Sequence, residues 1–549
     1  MRRQFILGLT IIFGLMFAAG SYPAGKEKTL TAGGNSYDDL VRLFKEWREF
    51  VKPKVVAGVP DYSSEAIKAQ REKLPSYQKR LAAIDCSRWP VAQQVDYHLV
   101  RAEMNGLDFD HRVLRPWSRM PSFYVFVTDS QPDVPLREGP EIYGVLDIWR
   151  YEFPLGADDQ AEVSAKLRAV PGVLAQAKKN LAEEAKDLWT LGIQAMKEES
   201  AILDNLAKLL AKHHPEMVSE AEQAKAAVDE FRAWLEDKNS RMKAVPCGVG
   251  IENFDWYMRN VHLVPYTWRE QLSILNREWE RSMAALKLEE HRNRLLPQLK
   301  PPATEEETRR RYDEAVEEFM RFLREEPVFT VPDYLRLDYF RGAFTPPDAR
   351  RDFFARIESL DSMPMKCHSM HWLDKQMMAQ EPHQSPIRRV PLFYNIWDSR
   401  AEGLATGMEE MMLQAGLFDK RPRAKELVYI LVAMRCARAM GDLMMHSNEW
   451  SLEDAVKAGV DRTPYGWLLP DGETIWTDLR IYLQQPGYGT SYVVGKLHID
   501  RLLADRAVQM GGGFTLQKFM DEFLASGMIP VSLIRWERTG LDDEIRKLW

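Results

Sequence analysis

The chain has 549 residues, 45% of them apolar, which is enough for roughly two to four ordinary domains with sizeable cores. Its formal charge of -7 and its pI near 6.0 provide no electrostatic attraction for nucleic acid or for an anionic membrane surface. We therefore predict neither a nucleic-acid partner nor a nucleotide cofactor. The composition leaves the oligomeric state open.

The first residues have the pattern of a secretory signal peptide. Arg2 and Arg3 precede an apolar run from Phe5 to Ala19, and small residues offer a cleavage site before Ser21. We therefore predict that residues 1–20 are a signal and that the mature protein is secreted or periplasmic, with uncleaved anchoring as the alternative. No later stretch approaches the roughly 18 apolar residues that a membrane span needs, so no stable span is expected after cleavage.

Helical periodicity dominates the rest of the chain, and we predict a mainly α fold with little β structure. The best strand candidate is Val328 to Phe340, where β-branched and aromatic residues lie between prolines. The predicted helices with the clearest pattern are Tyr37 to Val51, Ser64 to Ala83, Val91 to Phe109, Thr267 to Leu288 and Lys425 to His446.

A Gly/Pro-rich break around residues 246–250 divides the chain into two predicted regions. Residues 21–245 form an N-terminal helical region, and residues 246–549 form a C-terminal, catalytic-like helical domain. Within the first region, about 160–243 is rich in Ala, Leu, Lys and Glu and is predicted to be a helical hairpin subdomain of three helices. Its predicted helix breaks are Pro171-Gly172 and His214-Pro215.

The four cysteines are scattered along the chain without a CxxC pair. In an oxidising compartment they could form two disulfides in any of three pairings. One of them lies in an apolar predicted helix, which favours a small buried residue over a disulfide. The four are Cys86, Cys247, Cys367 and, in the apolar helix, Cys436.

A possible metal site begins in the segment 367–374. If this segment is one helix, successive residues turn by about 100°, so His368, His371 and Asp374 share one face. Glu402, near the start of a later predicted helix, is the candidate ligand from across the site. The alternative is two hydrogen-bonded histidines beside a salt-bridging aspartate. The residue after His368 is Ser369, not the glutamate that serves as general base in His-Glu-x-x-His peptidases.

A polar stripe runs along the predicted helix that ends at His446. Arg435, Arg438, Asp442 and His446 are spaced by three, four and four residues among apolar neighbours. Buried charges must be paired, so this stripe is either a structural ion network or the lining of a polar cavity. In the second case Asp442 would orient the imidazole of His446 for acid–base or oxyanion chemistry.

A tyrosine-flanked turn follows this stripe. Pro486, Gly487 and Gly489 set the turn between Tyr482 and Tyr492. Phenol groups beside a metal site can donate hydrogen bonds to a developing oxyanion, whereas tyrosines in a turn can also serve packing alone.

Together these segments resemble the bacterial domain-of-unknown-function family 885 (DUF885), which is placed with gluzincin-like zinc metallopeptidases. The family pattern is His-Glu-x-x-Pro-Gly-His, Glu-Gly-Trp-Ala-Leu-Tyr, Asp-x-Gly-x-His-x-x-x-Trp, Tyr-x-x-x-Pro-Gly-x-x-x-Ser-Tyr and a terminal Gly-x-(Leu/Ile)-Pro turn. The matching residues here are Glu402-Gly403-Leu404-Ala405, then Asp442, His446 and Trp450, then Tyr482, Pro486, Gly487, Ser491 and Tyr492, and finally Gly527-Met528-Ile529-Pro530.

The first motif of the family departs from its pattern in this chain. One register places His368 on the first histidine, Ser369 on the catalytic glutamate and Asp374 on the second histidine. The other places His371 on the second histidine and Met365-Lys366 on His-Glu. In both registers the general base is absent, which removes roughly two to four orders of magnitude from acid–base catalysis.

The resemblance implies a mostly helical protein with a deep channel or cleft and metallopeptidase-like architecture. One reading is a metal-dependent hydrolase, with zinc the first candidate, that acts on peptide or amide bonds. Its metal would bind His368, Asp374 and Glu402, with His371 as a fourth ligand or substitute base, and His446 and Tyr492 would stabilise the oxyanion. The other reading is a non-catalytic protein that binds a peptide or another small ligand in the channel.

Overall fold

The structure is a computed structural model that describes residues 35–337 and 352–548. The predicted signal peptide, residues 1–20, lies outside the described residues. Within the described ranges the chain is mainly α-helical, as predicted, and its β structure is limited to two pairs of two-residue strands. The antiparallel pair is β1 (Val55–Val56) with β2 (Val59–Pro60), and the parallel pair is β3 (Val127–Thr128) with β4 (Leu146–Asp147).

The N-terminal half forms long amphipathic helices. In the first of them, Ser36 and Asp39 form a capping box, and Leu40, Phe44 and Trp47 bury one face at helical spacing. The helices of this half are α1 (Tyr37–Val51), α2 (Ser64–Ala82), α3 (Val91–Phe109), α4 (Pro116–Arg119), α5 (Ala157–Asn180), α6 (Lys186–His213) and α7 (Val218–Ser240).

The predicted helical subdomain has three helices, α5 to α7, but one of its predicted breaks is wrong. Pro171 and Gly172 lie inside α5, and the chain breaks at residues 181–185 instead. The close approach of Gly172 to Val59 shows why, since a Cβ at this position would lie 2.7 Å from a methyl group of Val59. Packing against the β1–β2 hairpin therefore outweighs the local cost of a proline in the helix.

The C-terminal half continues as packed helices. They are α8 (Ile251–Tyr257), α9 (Trp268–Arg292), α10 (Glu305–Glu325), α11 (Phe353–Leu360), α12 (Met363–His368), α13 (Met370–Gln380), α14 (Asp398–Ala415), α15 (Pro422–His446), α16 (Leu452–Arg462), α17 (Glu473–Gln484), α18 (Tyr488–Met510), α19 (Leu516–Leu524), α20 (Val531–Thr539) and α21 (Ile545–Leu548). Two π-helical turns, Asp110–Leu114 and Met258–His262, extend α3 and α8.

The strand predicted for Val328 to Phe340 is absent from residues 328–337, and residues 338–340 lie outside the described part of the chain. Its apolar residues are nonetheless buried, including Val328, Phe329 and Leu335. A turn at Pro332, where the Leu335 N–H donates to the Pro332 carbonyl, breaks the extended conformation that a strand would need.

Helix α15 lies at the centre of the C-terminal half, packed against α9, α14, α16, α17 and α18. Almost all of its residues are buried, including the charged residues of the polar stripe. A close approach of two helices lies beside it, between α14 and α18, where Gly403 faces Gly495. These three helices carry most of the polar residues that the sequence analysis singled out.

Two predictions about the environment of the chain can be compared with the described residues. None of their helices combines the length and apolar character that crossing a membrane requires, in line with the prediction. All four cysteines are free, so neither of the possible disulfides is present. Cys436 is fully buried in α15, because it packs as a small apolar side chain among its neighbours.

Candidate functional site

Two histidines and one glutamate converge where α12, α13 and α14 meet. The segment 367–374 is not a single helix, because α12 ends at His368 and α13 begins at Met370. The rings of His368 and His371 nonetheless lie edge to face with their centroids 5.0 Å apart. Together with Glu402 of α14, each residue can offer one ligand atom, and these atoms all lie within 4.8 Å of one another.

Each oxygen of the Glu402 carboxylate has a hydrogen-bond partner. His371 Nε2 lies 3.1 Å from Oε2, and the Tyr488 hydroxyl of α18 donates to Oε1. Glu402 and His371 are 2% and 5% exposed, so the pair lies in a water-poor interior. Without a metal ion, the two side chains can therefore form a buried ion pair.

The pKa values of this pair favour its charged form. Burial alone would lower the pKa of His371, but the Glu402 carboxylate, with Asp133, raises it to about 9. Burial alone would raise the pKa of Glu402, but the charge and hydrogen bond of His371 lower it to about 2. A metal ion that binds here must displace the proton shared by the pair.

A second carboxylate of α14 holds His368. Glu409 follows Glu402 by seven residues and so lies on the same face of α14, where its Oε1 is 3.0 Å from His368 Nδ1. Arg435 of α15 binds both Glu409 oxygens at 2.7 Å and also lies 3.2 Å from the same ring nitrogen. When Nδ1 donates to Glu409, Nε2 keeps the lone pair that a metal ligand needs.

Asp374, a predicted metal ligand, takes a different partner. Its carboxylate binds the guanidinium of Arg400 on α14, with 3.1 Å between Nη2 and Oδ1, and both side chains are buried. The residue lies outside the histidine–glutamate cluster, although it follows His371 by three residues on the same helix α13. The structure thus brings together three of the four predicted ligands.

His446 and Asp442 contact backbone groups more closely than they contact each other. His446 Nε2 lies 2.9 Å from the Tyr482 carbonyl, and its Nδ1 is 3.4 Å from the Val249 N–H. Asp442 accepts the Gly487 N–H at 3.2 Å and lies 3.6 Å from His446. Burial lowers the pKa of His446 to about 4, so the imidazole is neutral. Its hydrogen bonds fasten α15 to α17 and to the segment before α8, whereas Asp442 fastens α15 to the turn before α18.

The arginines of the α15 stripe form an ion network. Arg435 pairs with Glu409, and Arg438 pairs with Asp478 of α17. The guanidinium of Arg438 also lies 4.8 Å from the ring centroid of Tyr492. The stripe therefore serves as the structural network that one of the two sequence interpretations described, and it also borders the tyrosines beside Glu402.

Three tyrosines form a cluster near Glu402. The rings of Tyr482 and Tyr492 lie 6.2 and 5.8 Å from that of Tyr488. Burial raises the pKa of all three hydroxyls well above the usual value, so they remain hydrogen-bond donors. The Tyr482 hydroxyl is buried and has no hydrogen-bond partner among the described residues. A buried donor without a partner is a candidate for contact with a ligand.

Glu138 is a carboxylate of the site that the sequence analysis missed. It lies in the irregular segment before β4, and the Tyr488 hydroxyl that binds Glu402 is 3.3 Å from its Oε1. Burial, with the charge of Asp133, raises the pKa of Glu138 to about 7. No periodicity or motif marks this residue, because only the tertiary fold brings the segment against α18.

The three converging residues fit a divalent cation. Two imidazoles and one carboxylate are ligands that zinc takes in catalytic sites, where a fourth position stays open. Glu409 provides the outer carboxylate that orients a metal-binding histidine. The positive charge of Arg435 is offset by its bidentate pairing with Glu409, so it does not oppose a cation at full strength.

The fold is shared with two solved structures. One is described as a "putative lipoprotein of unknown function" from Shewanella oneidensis, with 16% identity and a TM-score of 0.67 over 91% of this chain and 99% of that one. The other, a "putative lipoprotein" from Colwellia psychrerythraea, has 14% identity and a TM-score of 0.60 over 91% and 98%. At this identity the likeness concerns the fold alone.

A comparison with curated proteins finds no match. The sequence does match the family that is described as bacterial protein of unknown function (DUF885), over residues 54–349 and 371–537. The second range includes His371, Glu402 and the α15 stripe. Because the two ranges together cover well over half of the chain, the protein belongs to the DUF885 family.

Proposed function

We propose that His368, His371 and Glu402 bind one divalent metal ion, with zinc as the first candidate, and that the protein is a metal-dependent hydrolase. The observation that carries the proposal is the convergence of their three potential ligand atoms within 4.8 Å. Three protein ligands leave a coordination position for substrate, which is typical of catalytic rather than structural zinc. When bound, the ion would supply Lewis-acid polarisation of a carbonyl and a lowered pKa for water.

The remaining groups match the needs of amide or peptide hydrolysis. Ser369 cannot replace the glutamate base, since its Oγ donates to the Met365 carbonyl at 2.9 Å. Glu138 is instead the carboxylate that would take a proton, because a base with a pKa near the working pH is the most effective. The hydroxyls of Tyr482 and Tyr492 would donate to the developing oxyanion.

Metal content tests the first part of this proposal. The full-length gene product, including its predicted signal residues 1–20, is expressed, and the exported protein is purified. The protein is then equilibrated with zinc, manganese or iron(II), and the bound metal is measured by elemental analysis. We expect about one ion per chain in the wild type. The variant with both His371→Ala and Glu402→Gln should bind about none, because two of the three proposed metal ligands are lost. The exposed histidine His291 provides the matched control, since His291→Ala should leave the stoichiometry unchanged.

Asp374→Asn separates the observed cluster from the ligand set predicted by sequence. Since Asp374 pairs with Arg400, its substitution should leave about one ion per chain. Unchanged metal content in the His371 and Glu402 double variant would contradict the site, as would a wild-type protein that binds none of the three metals.

Turnover tests the second part. The metal-loaded protein is assayed against a library of quenched fluorescent peptides, and activity should disappear with a chelator. Glu138→Gln should reduce kcat by about 100-fold or more while the bound metal stays at one ion, because only the proton acceptor is removed. Glu141→Gln, three residues along the same segment, is the control and should keep the wild-type rate. A Glu138→Gln rate equal to wild type would rule out this residue as the base.

A second candidate function is ligand binding without catalysis, and the serine at position 369 favours it. In this case the tyrosine-lined space beside Glu402 would bind a peptide or another small molecule and no library member would be cleaved. The descriptions of the two structural neighbours as lipoproteins support the proposal that either function takes place in the bacterial envelope. This agrees with the secretory signal predicted from the sequence.

A further inference from the structure

A separate cavity of about 310 Å³ lies between the N-terminal helices and the segment around residue 394. None of the three residues of the proposed metal site lines it. Its walls are strongly aromatic, and its volume is within the range of sites for small ligands. The aromatic residues of the lining are Tyr62, Trp117, Phe123, Tyr143, Tyr257, Phe393 and Tyr394.

One carboxylate in this lining has no partner. Asp110 begins the π-helical turn after α3, and within the described residues no side chain or backbone group donates to its carboxylate or forms an ion pair with it. Burial alone raises its pKa to about 8. The group is therefore mostly protonated at neutral pH, and a ligand that supplies positive charge would favour its ionised form, because it would give the buried carboxylate a partner.

The two cations of the lining are already neutralised. Arg137 lies 2.6 Å from Asp147 and 3.2 Å from Glu141, and Lys52 lies 2.6 Å from Glu49. Neither pairs with Asp110. The cavity therefore offers a ligand one free negative group and no free positive group among its described lining residues.

Two backbone features, at Gly106 and at Tyr394, allow an aromatic ring to lie close to this carboxylate. Gly106 lies one helical turn before Asp110, and a Cβ there would come within 2.3 Å of the Tyr394 ring, so only glycine allows this ring against α3. Tyr394 itself has a positive φ of 59°, an unfavourable conformation for a bulky residue. Strained backbone of this kind persists where the surroundings enforce it, and it is common at ligand sites.

A second aromatic ring of the lining, that of Tyr257, lies next to another π-helical turn. Tyr257 ends α8 directly before the turn Met258–His262, and its ring packs 4.4 Å from that of Phe109, the neighbour of Asp110. π-Helical turns inside helices are frequent at functional sites because they shift side chains out of the regular register. Asp110, which begins the first turn, and Tyr257, which precedes the second, both line the cavity.

We propose that this cavity binds a small organic monocation, an alkyl- or arylammonium compound, whose charge meets Asp110 and whose body lies against Tyr257 and Tyr394. A carboxylate supplies the counter-charge, and aromatic faces attract ammonium groups through their quadrupoles. A neutral ligand would leave the carboxylate without a partner, and an anion would be repelled by it. This inference is independent of the proposed metal site.

Paired probes of equal shape test the proposal. Calorimetric titration of the full chain at pH 8.5, where Asp110 is mostly ionised, compares 2-phenylethylamine, which is still protonated, with the neutral 2-phenylethanol. We expect the amine to bind at one site and at least about 10-fold more tightly than the alcohol. Asp110→Asn should weaken amine binding by about 10-fold or more and leave alcohol binding unchanged, because it removes only the charge.

Asp108→Asn is the matched control. Asp108 precedes Asp110 by two residues, pairs with Arg112 and does not line the cavity, so amine binding should equal that of wild type. Thermal melting of the wild type gives a second readout that needs no variant, since the amine should raise Tm and the alcohol should not. Equal affinity for both probes, no binding of the amine at millimolar concentration, or full affinity in Asp110→Asn would each overturn the proposal.

Discussion

Gly403→Ala should destabilise the protein by about 3 kcal/mol or more, because the added methyl group has no room between α14 and α18. A Cβ at Gly403 would lie 2.4 Å from the carbonyl carbon of Gly495 and 2.8 Å from the Lys496 nitrogen. These are backbone atoms, so no side chain can move aside and the helices must separate. The unfolding midpoint in urea measures the loss.

Gly407→Ala is the matched control, one turn later on the same helix. Its Cβ would meet only the Lys496 side chain, at an ordinary 3.8 Å. Replacing a helical glycine with alanine should therefore stabilise the protein by about 0.5–1 kcal/mol. Equal stability of Gly403→Ala and Gly407→Ala would contradict the close approach of the two helices.

This packing also bears on the proposed metal site. Glu402 of α14 accepts a hydrogen bond from the Tyr488 hydroxyl of α18. Glu402 adjoins Gly403, and Tyr488 lies two helical turns before Gly495. If the helices separate in Gly403→Ala, that hydrogen bond lengthens and Glu402 loses one of its two hydrogen-bond partners. The variant should therefore bind metal more weakly as well as unfold more easily.

Glu409→Ala should cost about 3–5 kcal/mol of stability, because it leaves a buried arginine without its counter-charge. Glu409 and Arg435 are both fully buried, and the pair is bidentate at 2.7 Å. The same change removes the carboxylate beside His368 Nδ1, so metal affinity should fall by about 10–100-fold. Denaturant unfolding and metal titration of the same samples measure the two effects.

Two further variants define the origin of this loss. The double variant Glu409→Leu with Arg435→Met replaces both charges by apolar groups and should recover much of the stability, though not the metal affinity. Asp461→Ala breaks an exposed ion pair with Lys457 and should change stability by less than about 0.5 kcal/mol. If Glu409→Ala behaved like Asp461→Ala, the buried network would not carry the stability assigned to it.

The helical architecture could be predicted closely because helix signals are local. The bounds of α1 and α3 agree with the prediction at both ends. The predictions at Pro171 and from Val328 were wrong for different reasons. The helix continues through Pro171 where Gly172 packs against Val59, which a local pattern does not contain, whereas a turn at Pro332 interrupts the predicted strand.

The candidate site was predictable only in part. His368 and His371 were chosen for their helical spacing and Glu402 as a carboxylate from a second helix, and the structure brings the three together although a break at Ser369 replaces the assumed helix. Asp374 satisfied the same spacing, but its partner is Arg400. Spacing shows which side chains share a face of a helix, whereas the nearest opposite charge on another helix decides which of them pair.

The sequence by itself determined the helical class, most helix bounds and the residue types able to bind a metal, because each follows from propensity, periodicity or side-chain chemistry within a short window. Only the tertiary structure placed Glu409 behind His368, Tyr488 against Glu402 and Glu138 beyond it. It also left Asp110 unpaired in an aromatic cavity. Burial and Coulomb interactions depend on distances in space, and the residues that lie close together here are far apart in the chain.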